Sequence, residues 1–303
     1  MAIMKIGVIG LGKMGKAIVY RLRRAGFAVI GFDKRLKAET SVTKYGATIA
    51  SSIEKIPQQA DVVWLMVPAG KTVDLVLMEL KLYLKKDHIV IDGGNSYFKD
   101  SINRAQQFKK NGIHFIDCGT SGGLAGKKKG FSLMVGGNEK IFNYLEPVFK
   151  ALAAPKGYGY MGKSGSGHYV KMVHNGIEYA LLQAYAEGFH VLKNGSYKNL
   201  DLEKITSVWE HGSIIRSWIL HLAHDVFKHD QELKDITGAI QESGMGQWTV
   251  DEAREKNIPV TLIDDALKIR AWSRQTGGDY STKLVALLRH AFGGHAVTKR
   301  KKK

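Results

Sequence analysis

Lys171, His174, Asn175 and Glu178 stand in the stretch GHYVKMVHNGIEY of residues 167–179, at offsets i, i+3, i+4 and i+7. On a helix these offsets project from one face. The apolar set Val170, Val173, Ile177, Ala180 and Leu181 repeats at the same period on a neighbouring face. The segment can therefore be anchored while it presents an amine, an imidazole, an amide and a carboxylate together. A lysine and a carboxylate two turns apart suit paired proton transfer, one group serving one atom of a substrate and the second another. A solvated face with weak ion pairs gives the same pattern, so the rest of the chain has to discriminate. Gly176 costs about 1 kcal/mol of helix propensity relative to alanine, which points to a close approach at that position.

The elements that must position this face fall into two groups. In the first half, IGVIG (6–10), AVIGFD (28–33), VVWLMV (62–67), HIVIDGG (88–94) and HFIDCG (114–119) have the compact Val- and Ile-rich form of buried strands. FSLMVGG (131–137) adds another. Helical stretches such as KMGKAIVYRLRRAG and SYFKDSINRAQQFKKNG, each closed by glycine, separate them. Alternation of this kind predicts an α/β doubly wound, Rossmann-type parallel sheet over residues 1–163. Beyond Gly162 the strand signal ends. Helical spacing over 167–193, 201–229, 249–256 and 280–292 predicts an all-α domain over 164–303, entered through GKSGSG.

GLGKMG (10–15) follows the first strand and opens a helix, so Gly10, Gly12 and Gly15 form G-x-G-x-x-G in the context that gives the pattern meaning. Gly10 permits the turn, Gly12 lets backbone approach a pyrophosphate, and Gly15 allows helix and strand to pack closely. Leu11, Met14 and Val67 complete the expected cofactor surface. Asp33 lies 23 residues after Gly10, at the end of the second strand. A carboxylate there accepts from ribose hydroxyls and selects NAD. Lys34 and Arg35 partly offset it, so NADP stays possible.

Bulk composition narrows the classes. The 303 residues are 44% hydrophobic and 24% charged, ordinary for a globular protein of two domains. A single cysteine, Cys118, excludes an internal disulfide framework and suits a reducing compartment. It reads as a small buried residue at a strand end, not as a nucleophile. No metal-ligand cluster is evident, and no apolar run approaches a membrane span. The start, MAIMKIGVIGLG, lacks the basic segment of a secretory signal, so a cytoplasmic location is expected. Lys+Arg 45 against Asp+Glu 28 gives +17 and favours anionic partners such as phosphorylated metabolites or nucleotides. Nucleic acid is a less specific match. The basic tail KRKKK (299–303) is expected to be solvated, with disorder beyond about Val297.

Several motifs together resemble the decarboxylating 6-phosphogluconate dehydrogenases, short form, within the β-hydroxyacid dehydrogenase superfamily. They are GLGKMG, IDGGNS (91–96), CGTSGG (118–123), GSGHYVKMVHNGIEY (165–179), IPVTLI (258–263) and FGGH (292–295). The resemblance spans nearly the whole chain. It implies Lys171 as general base and acid, Glu178 as the acid that protonates the product carbon, and His174 and Asn175 as orienting groups. It further implies that Ser121, Gly122 and Gly123 hold the sugar acid and that Asn95 bridges cofactor and substrate. Tyr179 and Arg270 would hold the phosphate. Arg289 and His295 match a pair that the family supplies from a neighbouring subunit, which implies a homodimer or homotetramer with a shared site. The implied activity belongs to the pentose phosphate pathway and gluconate utilisation, needs no metal, and acts on a phosphorylated sugar acid.

Oxidation of a secondary alcohol needs a base on the hydroxyl, and the 3-keto acid so formed loses CO2 once its ketone oxygen is protonated or hydrogen-bonded. One lysine can serve both steps, given desolvation or nearby positive charge to offset its free pKa of about 10.4. Two departures bear on the substrate. The turn after SGG reads LAGKKKG where longer members carry acidic and arginine residues, and Ser243 stands where they carry a phosphate-contacting lysine. Phosphate binding then rests on Arg270, Arg289 and Tyr179, with Lys127, Lys128 and Lys129 as further candidates. Two alternatives are a dehydrogenase for a small unphosphorylated acid of the 3-hydroxyisobutyrate type, and a non-catalytic nucleotide- or nucleic-acid-binding protein. Glu178 argues against the first, and the intact Lys171–Asn175–Glu178 face against the second.

Overall fold

Strand β1 (Lys5–Ile9) feeds helix α1 (Lys13–Arg24), and the chain returns beside it as β2 (Ala28–Phe32). The structure, a computed structural model, describes residues 4–35 and 41–300. Then follow β3 (Thr48–Ile49), α2 (Lys55–Gln59), β4 (Val62–Leu65), α3 (Lys71–Lys81), β5 (Ile89–Asp92), α4 (Phe98–Lys109) and β6 (His114–Ser121). After a 3-10 turn and the short α5 (Gly126–Lys129) come β7 (Phe131–Gly136), α6 (Glu139–Leu152) and β8 (Ala153–Gly162). The sheet order is β3-β2-β1-β4-β5-β6-β7-β8. Its first six positions carry the doubly wound parallel pattern.

The all-parallel expectation needs one correction, because β7 runs antiparallel to β6 and β8 then lies parallel to β7. Only a short crossing, Gly122–Gly130, joins β6 to β7, too little chain for a parallel return. Along each central strand successive side chains enter opposite faces. Ile6, Val8, Trp64 and Ile91 pack with Ile18, Leu22 and Phe149 on one side. Ile9, Val63, Leu65 and Val90 pack with Val73, Leu80 and Phe108 on the other.

Contacts divide the chain into Met1–Met172 and Val173–Lys303, a division inside the 29-residue helix α7 (Ser166–Asn194). The second unit continues with α8 (Leu202–Glu210), α9 (Trp218–His229), α10 (Met245–Glu255), α11 (Thr261–Thr276) and α12 (Tyr280–Gly293). Its core gathers Leu182, Phe189, Leu220, Phe227, Leu284 and Leu288. The predicted helix over 201–229 is two helices: α8 ends at Glu210, and Ser217 caps α9 by accepting the Leu220 N–H. Helix α11 was not expected.

The expected disorder beyond Val297 is also corrected. Lys299 bridges Ile236 in antiparallel fashion, and the Thr237 and Arg300 amides donate to Thr298 and Asp235 carbonyls. Backbone pairing holds this part of the tail; Lys301–Lys303 lie outside the described residues. Among the described residues no helix is long and apolar enough to cross a membrane.

Candidate active site

The cofactor end begins where β1 stops. Gly10 turns the chain at φ +92, a conformation open to glycine, and a Cβ on Gly15 would overlap the Gly10 carbonyl. Gly12 opens α1 without a side-chain cap, so the first helical N–H groups face outward as an anion cradle. Two bonds tie this loop to β2: the Gly10 N–H donates to the Phe32 carbonyl, and the Leu11 N–H donates to Asp33 Oδ2 at 2.7 Å. Asp33 also pairs with Arg35 through both carboxylate oxygens. Burial alone would raise the Asp33 carboxyl, but the Arg35 and Leu11 hydrogen bonds outweigh it and hold the group below its usual range. Met14 is half-buried behind the loop, Val67 follows β4, and Lys34 is exposed. These groups fit a dinucleotide: a glycine turn, an uncapped helix start and a carboxylate at the end of β2.

Asn95 is carried by a braced loop. Asp92 accepts from the Gly94 N–H and the Ser96 hydroxyl, and Thr120 donates to the Gly93 carbonyl from β6. The Asn95 side-chain carbonyl is buried and has no donor among the described residues. Ser121 ends β6, while Gly122 and Gly123 turn away at φ +117 and +51.

Lys171 emerges from α7 and is 3% exposed. Its stem packs on Gly119 of β6, where a Cβ would stand 2.9 Å from Lys171 Cγ. Two groups that sequence reasoning missed set this turn. Asp117 is fully buried and accepts the Gly165 N–H at 2.7 Å and the His168 N–H at 3.0 Å, so a carboxylate from β6 caps the lysine helix. The His168 ring is also fully buried, with Nδ1 2.7 Å from Ser101 Oγ. The Ser101 hydroxyl also lies 3.3 Å from the Tyr97 carbonyl, to which it can donate. The helix bearing Lys171 is thereby linked to the segment that follows Asn95. The only hint was an aspartate inside an apolar strand, HFIDCG. Cys118 beside it is buried, and burial pushes its thiol far up, consistent with an inert residue.

In the second unit, the His174 ring donates through Nδ1 to Asn175 Oδ1 at 3.0 Å, and Asn175 Nδ2 reaches Met245 Sδ at 2.9 Å. Gly176 is the expected close approach: a Cβ there would stand 2.8 Å from Thr249 Cγ2 of α10. One residue past Glu178, the Tyr179 ring lies under Arg270 of α11, with the guanidinium carbon 3.2 Å from the ring centroid. Arg270 is 1% exposed, and its two terminal nitrogens have no hydrogen-bond partner among the described residues; nor does the Tyr179 hydroxyl. Burial pulls Arg270 below the usual guanidinium range, Tyr179 opposes this, and nearby Arg289 reinforces it. Burial likewise lowers Arg289, against the pull of Tyr179, Glu178 and Glu242. Two buried cations, one of them with unpartnered terminal nitrogens among the described residues, form a receptor for an anion.

Leu284, Val285 and Leu288 fold α12 into the core of the second unit, and Arg289, 6% exposed, lies near Tyr179, Glu178 and Glu242 of its own chain. His295 is exposed beyond α12, its ring edge-on to Phe292. The Lys127 ammonium donates to the Tyr45 hydroxyl and lies over the Tyr20 and Tyr45 rings at 4.7 and 5.0 Å. Ser243 is exposed in the loop before α10. Among the described residues no His, Cys, Asp or Glu cluster could hold a metal ion.

Comparison with known proteins follows the same division. Residues 5–176 match the family model of the NAD binding domain of 6-phosphogluconate dehydrogenase, and residues 167–289 match that of its C-terminal domain. The NAD(+)-dependent, decarboxylating 6-phosphogluconate dehydrogenase of Haloferax volcanii is 45% identical over 302 residues, covering 98% of this chain and 99% of that one. The decarboxylating enzyme of Caenorhabditis elegans is 36% identical over 90% of this chain, which spans 60% of its length. Among solved structures, Plasmodium falciparum 6-phosphogluconate dehydrogenase superposes with TM-score 0.82 at 28% identity, over 89% of this chain and 62% of its own. Mycobacterium tuberculosis 3-hydroxyisobutyrate dehydrogenase, with TM-score 0.75 at 22% identity over 95% and 99% of the two chains, shares the fold. With both halves matched and a full-length relative at this identity, the chain belongs to the 6-phosphogluconate dehydrogenase family of oxidoreductases.

Proposed function

We propose that this chain converts 6-phosphogluconate to ribulose 5-phosphate and CO2, with NAD as the preferred oxidant and NADP as a second one. The observation that carries the substrate assignment is the buried Arg270, whose terminal nitrogens lack partners beside Arg289 and Tyr179. A small unphosphorylated acid would leave those charges uncompensated. When bound, the dinucleotide supplies a nicotinamide ring that accepts hydride. Lys171 takes the proton of the substrate's secondary hydroxyl and returns it to the oxygen of the developing enolate as the carboxylate departs. Glu178, seven residues and about 10 Å further along α7, delivers a proton to the enediol carbon. His174 and Asn175 orient the sugar acid, Ser121, Gly122 and Gly123 hold its carboxylate end, and Asn95 lies between cofactor and substrate.

We place this activity in the cytoplasm, in the pentose phosphate pathway and gluconate use; what supports the activity itself is the 6-phosphogluconate dehydrogenase names of the relatives. Self-association is supported by exposed apolar residues of α7, Ile177, Leu181 and Val191. The function is tested by incubating the protein with 6-phosphogluconate and NAD while following NADH and CO2 together. Equal yields are expected. NADH without CO2 would overturn the decarboxylating assignment.

A further inference from the structure

Asp33 is the carboxylate on which an NAD preference rests, and a carboxylate offers about four acceptor positions. Here four hydrogen bonds from Leu11 and Arg35 already reach it. Oδ1 accepts the Arg35 backbone N–H at 2.9 Å and Arg35 Nε–H at 3.0 Å. Oδ2 accepts the Leu11 N–H at 2.7 Å and Arg35 Nη2–H at 3.1 Å. The two backbone donors belong to the β1–α1 loop and the β2 end, and stay with the fold. The other two come from one guanidinium, in fork-to-fork geometry.

That guanidinium is held from one side. The Arg35 side chain is 71% exposed, whereas that of Asp33 is 7% exposed. Its Nη2 lies 3.9 Å from where a Cβ on Gly12 would stand, so the fork hangs over the glycine turn. A ribose diol donating to Asp33 needs the positions that the fork occupies. An exposed arginine can release them at the modest cost of one surface ion pair.

We propose that Arg35 is a built-in competitor at the cofactor site: its fork must leave Asp33 before an NAD ribose can donate there, and the same cation lets the site accept a 2′-phosphate. One side chain then weakens NAD and strengthens NADP at once. The preference between the two is narrower than an aspartate at this position would set alone. This role of Arg35 rests on the glycine loop being the dinucleotide site, and it bears on binding, not on turnover.

The test is equilibrium titration of the full-length protein with NAD and with NADP, without sugar acid, followed by calorimetry. Arg35→Ala is expected to tighten NAD about two- to fivefold, the weight of one exposed ion pair, and to weaken NADP about tenfold. Arg35→Lys keeps the charge and loses the fork, so it should retain NADP binding while still tightening NAD. Unchanged or weaker NAD binding in Arg35→Ala overturns the proposal, as does unchanged NADP binding. A wild-type protein that binds neither cofactor overturns the dinucleotide site and the proposal with it. Failure of the 6-phosphogluconate assay touches neither result.

Discussion

Arg270 is nearly inaccessible, yet it sits beside a second arginine with both terminal nitrogens unpartnered among the described residues. Burial disfavours its charged form, so wherever the group stays protonated the fold bears a desolvation cost. An anion that binds there offsets this cost, which ties substrate affinity to a local instability of the free protein. Arg270→Met should therefore leave the ligand-free melting temperature unchanged or raise it. The same change should increase KM for 6-phosphogluconate roughly 10- to 100-fold, as expected for lost charge-assisted hydrogen bonds. Calorimetry and steady-state kinetics read the two effects separately. A lower melting temperature with an unaltered KM would show that the arginine is structural. Lys171 and Glu178 call for a different signature. Lys171→Met should cost roughly 100- to 10,000-fold in kcat, with NAD affinity measured by titration nearly unchanged. Glu178→Gln should slow the late protonation more than hydride transfer, so that NADH forms in a first-turnover burst. Retention of most of the turnover number in Lys171→Met would remove it as the base.

At the scale of elements, the first turn of α7 is the critical joint, and a single carboxylate from β6 secures it. Asp117→Ala would leave the buried Gly165 and His168 N–H groups unsatisfied and the positive end of the helix unopposed. A loss of about 2–3 kcal/mol is expected in urea unfolding, with a fall in kcat, since Lys171 lies on the next turn. Asp117→Asn keeps an acceptor for one of the two amides and should lose less. Equal stability of wild type and Asp117→Ala would contradict the capping role. This joint also marks the limit of what sequence could tell. The Lys171–Glu178 face was legible because helical period is a local property, and the glycine loop because it stood between a strand and a helix. Asp117 and His168 were not, since their partners, Gly165 and Ser101, are distant in sequence and a buried polar group announces its partner only in three dimensions. Strand β8, AAPKGYGYMG, holds three glycines and a proline and shows no alternation, so it escaped notice. Helix α11, TLIDDALKIRAWSRQT, is too evenly polar for its apolar stripe to stand out, although it carries Arg270. Strand direction is invisible to periodicity, and the antiparallel β7 went unforeseen for that reason.

For the whole molecule, the question is whether one chain supplies all the groups of one site. The family resemblance implied that Arg289 and His295 act across a subunit boundary. In this chain α12 folds into the core of the second unit, and Arg289 feels its own chain's Tyr179, Glu178 and Arg270. We therefore expect each chain of an oligomer to use its own Arg289. The consequence is measurable with two inactive variants. Lys171→Met retains Arg289, and Arg289→Ala retains Lys171. If the arginine serves its own chain, every site in a mixed oligomer lacks one of the two groups, and subunit exchange restores no activity. If the arginine serves the neighbour, half of the sites in a one-to-one heterodimer are complete. Activity would then rise toward half that of the wild type. The expected outcome is no recovery, with exchange verified by differently tagged chains isolated together. Recovery in such verified mixtures would return Arg289 to the neighbour's site.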